Sequence, residues 1–144
     1  MFEGLDESYV AQIEEISELR AYSPGELIFS QCDIADAIFM IQHGAVSIIH
    51  RDDDGEEVEI AKLGTGSHFG EMSMLDNESR SASASSDAYS DIVRISYEAL
   101  INLLESDSHI AIHVYREISR FLCSRLRLTS LDLIHLRTQN PGLF

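Results

Sequence analysis

The residues best suited to chemistry lie between Gly64 and Ala84: Gly64-Thr65-Gly66-Ser67-His68-Phe69-Gly70-Glu71-Met72-Ser73-Met74-Leu75, then Arg80-Ser81-Ala82-Ser83-Ala84. Glycines bracket the start of a one-turn helix expected over Glu71–Leu75. The first N–H groups of a helix have no carbonyl partner within it, so those of Glu71, Met72 and Ser73 are free to bind an anion. Gly70 lets such a ligand approach the backbone closely. Arg80 follows nine residues after Glu71, where the chain turns back into a strand. Its planar guanidinium can give a phosphate two parallel hydrogen bonds. A carboxylate beside a phosphate site is repulsive unless the ligand also offers a hydroxyl, because an ionised carboxylate only accepts. A phosphate with a nearby ribose hydroxyl is one ligand that calls for both charges. The other reading is a surface salt bridge between Glu71 and Arg80 beside a turn.

Three zones of sequence must position this segment. Leu5, Tyr9, Ile13, Ile16 and Leu19 recur at helical spacing, which predicts an amphipathic helix over residues 5–21, stopped by Ser23-Pro24-Gly25. Short β-compatible runs follow at Glu26–Ser30, Ala37–Gln42, Ala45–His50, Glu57–Leu63, Ser81–Ser85 and Asp91–Ser96. Turn residues separate them, among them His43-Gly44 and the hairpin pair Asp54-Gly55. Such spacing predicts a sandwich or a barrel-like roll. Helical period returns over Tyr97–Glu105 and from His109 to about Arg137, with Asn140-Pro141-Gly142 as the stop. In the long helix Tyr115, Ile118, Leu122, Leu126, Thr129, Leu133 and Leu136 approach a heptad seam. Leu128, Leu131 and Ile134 lie off it, so the last turns need both their own domain and a partner.

A chain of 144 residues fits one domain, here 1–144, divided into a helical segment 1–22, a β-roll 23–96 and C-terminal helices 97–139. The acidic start Met1-Phe2-Glu3-Gly4 does not resemble a signal peptide, and no apolar run approaches a membrane span, so a cytoplasmic location is expected. A formal charge of −15 argues against nucleic acid and anionic membranes as partners. Arg116, Arg120, Arg125, Arg127 and Arg137 gather in the long helix and read as a solvated face. Cys32 and Cys123 read as small buried hydrophobes rather than a disulfide.

The segment Phe69-Gly70-Glu71-Met72-Ser73-Met74-Leu75 with Arg80-Ser81-Ala82-Ser83-Ala84 closely resembles the phosphate-binding cassette of the cyclic nucleotide-binding domain family, over residues 69–84. Pro24-Gly25-Glu26, Ile28-Phe29, Ile38-Phe39-Met40-Ile41, Gly44 and Val46 resemble that family's first strands, and the likeness runs on to about Arg137. The resemblance implies a mainly β fold, an eight-stranded jelly-roll-like β-roll (a double-stranded β-helix) with an N-terminal helix and a long C-terminal helix. It implies a regulatory ligand, cAMP or cGMP, and no metal. Glu71 would accept from the ribose 2′-hydroxyl and Arg80 would pair with the cyclic phosphate. Backbone N–H groups at Met72, Ser73 and Ala82, beside Gly70, would complete the cradle, with the Ser81 hydroxyl donating to phosphate or purine. Ile60 and Leu63 would line the apolar wall behind sugar and base. Arg125-Leu126-Arg127-Leu128-Thr129-Ser130 resembles the stretch of the catabolite-activator branch that dimerises and caps adenine, through Thr129 and, from the opposite subunit, Ser130. Alternatively, Thr129 and Ser130 mark only a polar break in the seam. The family's glycine before Asp33 is Cys32 here, which puts that turn in doubt. Transcription-factor members carry a helix-turn-helix after the long helix; this sequence ends at Phe144, so direct DNA contact is not expected.

The expected function is therefore a non-enzymatic sensor that binds cAMP in preference to cGMP, forms a homodimer and signals to an unidentified effector in trans. Two other readings compete: a scaffold of the same fold that has lost binding, and a cupin-like metal enzyme. His109 and His113 share a helix face without a third ligand, and the cupin His-x-His pair is missing.

Overall fold

The computed structural model describes residues 4–139, an eight-stranded antiparallel β-roll clasped by helices. In chain order they are α1 (Glu7–Glu15), β1 (Ser17–Tyr22), β2 (Leu27–Phe29), β3 (Ala37–His43), β4 (Ala45–Arg51), β5 (Glu57–Gly64) and β6 (His68–Phe69). Then come α2 (Met72–Asp76), β7 (Ser83–Ser86), β8 (Ser90–Ser96), α3 (Tyr97–Ser106) and α4 (Ser108–Gln139). The strands form two four-stranded sheets, ordered β1-β8-β3-β6 and β2-β7-β4-β5. The Asn140-Pro141-Gly142 stop lies outside the described residues.

Period-two alternation along β3 divides the core. Ala37, Phe39 and Ile41 point between the sheets, where they meet Val46, Phe69, Ala84 and Ile92. Ile38 points the other way and packs with Ile95 against Ile13, Leu100, Leu104, Ile110, Val114 and Ile118 of the helices. Burial on both faces of β3 makes it the beam on which the roll and the helical layer both rest. Ser96 caps α3 by accepting the Ala99 N–H at 3.1 Å, so the chain passes from β8 into helix without a loop.

Three expectations need correction. The helix expected over 5–21, and with it the helical segment 1–22, ends at Glu15. Ser17–Tyr22 is instead a strand that pairs with β8, from Ser17 opposite Ile95 to Tyr22 opposite Ser90. Cross-strand pairing supplies a ladder that local periodicity could not reveal, and Leu19, read as part of a buried stripe, is exposed. Cys32 and Cys123 are both free thiols on the surface, not buried ones. The seam along α4 is also divided. Ile118 is buried in the domain's own core and Leu122 packs against it, while Leu126, Leu128, Leu131, Leu133, Ile134 and Leu136 are exposed. None of the described helices is long and apolar enough to cross a membrane.

Candidate functional site

The cassette is built around two buried ionic groups that do not pair with each other. Arg80 is 4% exposed and Glu71 1%. The surface salt bridge is thus excluded. Gly70 stands between them at φ +85°, where a Cβ would lie 2.9 Å from Arg80 Nη1 and 3.2 Å from the Ala37 carbonyl. Only glycine lets the backbone turn there while the guanidinium passes behind it.

Arg80 is fixed from both ends. Its backbone N–H donates to the Asp33 carbonyl at 2.9 Å, and its carbonyl accepts from Cys32 N–H at 2.8 Å. Cys32 keeps the left-handed turn at φ +72°, at a cost of about 1 kcal/mol for a residue with a Cβ. The side chain donates from Nη1 to the Gly70 carbonyl at 3.0 Å and to the Tyr97 hydroxyl at 2.9 Å, and from Nη2 to the Ala37 carbonyl at 2.6 Å. Its guanidinium carbon sits 4.1 Å above the centre of the Phe29 ring. Among the described residues no carboxylate lies within ion-pair distance of it. A buried cation with neutral partners only can accept an anion as a further partner.

Glu71 presents the complementary problem. Its Oε2 lies 3.5 Å from His68 Nδ1 and its Oε1 3.9 Å from Arg125 Nη1, close enough for attraction but outside hydrogen-bond geometry. Both carboxylate oxygens, His68 Nδ1 and Arg125 Nη2 are buried without a hydrogen-bond partner. Burial pulls the Arg125 guanidinium below its ordinary pKa, and the Glu71 charge pushes it back up. Phe121, one turn before Arg125 on α4, completes a ring of side chains. Its centroid lies 3.8 Å from that of His68, and the Arg125 guanidinium carbon sits 4.1 Å from the same centroid. The long helix therefore meets the cassette through Phe121 and Arg125.

The remaining sequence-named residues fall in three groups. Ala82 is buried beside Arg80, and Met72 and Ser73 open α2, half exposed and partly buried respectively. Leu63 packs against the core between the sheets, whereas Ile60 is 58% exposed; Ser81 is exposed and its carbonyl lies 3.1 Å from His50 Nδ1. Thr129 and Ser130 are exposed, about 6 and 7.5 Å further along α4 than Arg125. Tyr97 and Phe121 were not picked out by sequence, His68 was weighed only with Glu71 as a cupin-like metal pair, and Arg125 was given no role in the pocket. Arg125 is a correction to the solvated-face reading, since it is turned towards Glu71. The only local signal was the Phe121–Arg125 spacing of four, which places an aromatic under a guanidinium. Among the described residues no three His, Cys, Asp or Glu side chains gather as a metal site.

Fold and site together define a β-roll domain with a buried cassette suited to a ligand that carries both an anion and a hydroxyl. Residues 19–107 match the family model described as "Cyclic nucleotide-binding domain", and this chain belongs to that family. It is 33% identical over 136 residues to the cyclic AMP receptor protein of Thermus thermophilus, covering 92% of this chain and 60% of that protein's length. A cyclic nucleotide-binding domain from Methylobacillus flagellatus superposes with a TM-score of 0.84 at 25% identity, over 93% of this chain and 75% of that one. The c-di-GMP responsive global regulator CLP of Xanthomonas campestris gives a TM-score of 0.79 at 26% identity, over 96% and 66%.

Proposed function

We propose that this chain is a cytoplasmic sensor that binds a 3′,5′-cyclic nucleotide, cAMP in preference to cGMP, and passes the event to an effector protein in trans. The observation that carries this reading is the pair of buried charged groups on either side of Gly70, neither of them hydrogen-bonded to an opposite charge. Arg80 lacks an anion and both Glu71 oxygens lack a donor. A cyclic phosphate and a ribose 2′-hydroxyl on one small molecule answer both at once. Met72, Ser73, Ser81 and Ala82 complete the phosphate cradle, Leu63 and Ile60 flank sugar and base, and Thr129 and Ser130 approach adenine from α4. The Thermus relative's name supports cAMP, while the Xanthomonas regulator makes c-di-GMP the competing ligand to test. Thermal unfolding with each nucleotide decides between them. At a hundredfold excess over its dissociation constant, cAMP should add about 2.7 kcal/mol of stability by mass action. A melting temperature unmoved by millimolar cAMP, cGMP and c-di-GMP alike would overturn the sensor reading in favour of a scaffold.

The partner of the second half of α4 is a second copy of the chain. Leu126, at 67% exposed, leads a run with Leu128, Leu131, Leu133, Ile134 and Leu136 that one roll leaves in water. Two such helices packed side by side bury this run. Glutamate at both Leu126 and Leu133 places like charges in the interface and should give monomers, read by sedimentation at micromolar concentration. A monomeric parent protein refutes the dimer.

A further inference from the structure

The N-terminus of α3 closes a hydrogen-bonded triangle with the cassette. Arg80 Nη1 donates to the Gly70 carbonyl and to the Tyr97 hydroxyl, and the Tyr97 hydroxyl donates in turn to the Gly70 carbonyl. Both Nη1 hydrogens and both lone pairs of that carbonyl are thereby used. With Nη2 also tied to Ala37, the hydrogens left without a partner among the described residues are Nε–H and one on Nη2. Nε–H lies on the edge of the guanidinium that can grip an oxyanion side-on. Tyr97 is thus one of three groups, with the Gly70 and Ala37 carbonyls, that hold the guanidinium's rotation. The same residue is the first of α3, its own N–H donating to the Asp36 carbonyl at 2.8 Å. Through Leu100 and Leu104, α3 shares one core with Ile110 and Val114 of α4. An open cleft of about 450 Å³ beside α2 is bordered by Ser73, Met74, Tyr97 and Ile101.

We propose that Tyr97 is a positioning residue for the anion: its phenol orients the Arg80 fork and ties the occupancy of that fork to α3. This rests on the reading that a cyclic nucleotide places its phosphate at Arg80. Burial holds the Tyr97 phenol above its ordinary pKa and the Glu71 charge adds to this, while the charge and hydrogen bond of Arg80 and a hydrogen bond with Ser73 pull it down. An anion that neutralises Arg80 removes part of that downward pull, so the phenol titrates at still higher pH in the complex.

Calorimetry with cAMP on the full chain tests the proposal. Tyr97→Phe should weaken binding about five- to tenfold, the scale of one lost hydrogen bond. In an Arg80→Lys background the same change should matter less than about twofold, because lysine has no fork to orient. A tyrosine that only supports the fold costs the same in both backgrounds. In protein labelled with 3-fluorotyrosine, the fluorine resonance that disappears in Tyr97→Phe should move on adding cAMP, and its pH midpoint should rise. Undiminished affinity in Tyr97→Phe, equal losses in both backgrounds, or a resonance that ignores cAMP overturns the role of Tyr97. If the parent binds neither cAMP nor cGMP, the ligand reading falls before any variant is made, and this proposal falls with it.

Discussion

Replacing Arg80 by alanine should weaken cyclic-nucleotide binding by about 2 to 4 kcal/mol, roughly 30- to 700-fold in Kd. The size follows from burial. Arg80 is 4% exposed, so an anion bound beside it is screened by protein rather than water, and an alanine leaves that anion with neutral donors only. The substitution also strips a donor from the Gly70 and Ala37 carbonyls, so the ligand-free protein must be shown to melt cooperatively before affinities are compared. Arg80→Lys separates charge from shape. Lysine restores a point charge without the side-on fork and should recover part of the loss. Glu71→Gln should cost less than Arg80→Ala and should narrow the preference for cAMP over its 2′-deoxy analogue, since an amide can meet the ligand with either end. Calorimetric titration of the four proteins reads all of this. An Arg80→Ala protein that binds like the parent removes the cassette from its proposed role.

Much of the site was legible because its signals are local. Gly70, Glu71 and Arg80 lie within eleven residues, and the helix start and the turn back into β7 are written in the types of those residues. The strands from β3 to β5 were equally plain, because each alternates or runs apolar between obvious turn residues. The failures share a different origin. Ser17–Tyr22 extends a helical-looking pattern, but its ladder partner β8 lies about seventy residues away and decides the matter. β6 has only two residues, His68 and Phe69, too few to show a period. Arg125 read as one of several solvated arginines because its partner, Glu71, is brought to it only when α4 folds across the cassette. The heptad steps on α4 were real, yet spacing cannot say which turns face the roll. Ile118 went to the domain core and Leu126 to the surface. Sequence described the cassette's interior well and its connection to the helices poorly.

Gly44→Ala should destabilise the fold by about 4 kcal/mol. Gly44 joins β3 of one sheet to β4 of the other, and two separate costs meet there. Its φ of +126° is one that residues with a Cβ rarely adopt, worth about 1 to 3 kcal/mol by itself. The added Cβ would also collide with Ser90 Oγ and lie 2.5 Å from Ser90 Cβ and 2.7 Å from Ser90 Cα. Moving Ser90 away is costly, because its hydroxyl accepts the Ala45 N–H at 3.2 Å and donates to the Ala88 carbonyl at 2.9 Å. Ser90 is also paired with Tyr22 at the end of β8, so a shift there loosens β1 as well. Urea unfolding should show a midpoint about 2 M below the parent, at an m-value of about 2 kcal/mol per molar. Adding Ser90→Gly to Gly44→Ala should recover only part of the loss, since the clash with the β8 backbone and the positive φ both remain. A Gly44→Ala protein within about 1 kcal/mol of the parent would mean that the β3–β4 corner relaxes freely. The two walls of the roll would then not be held at a fixed distance by this turn.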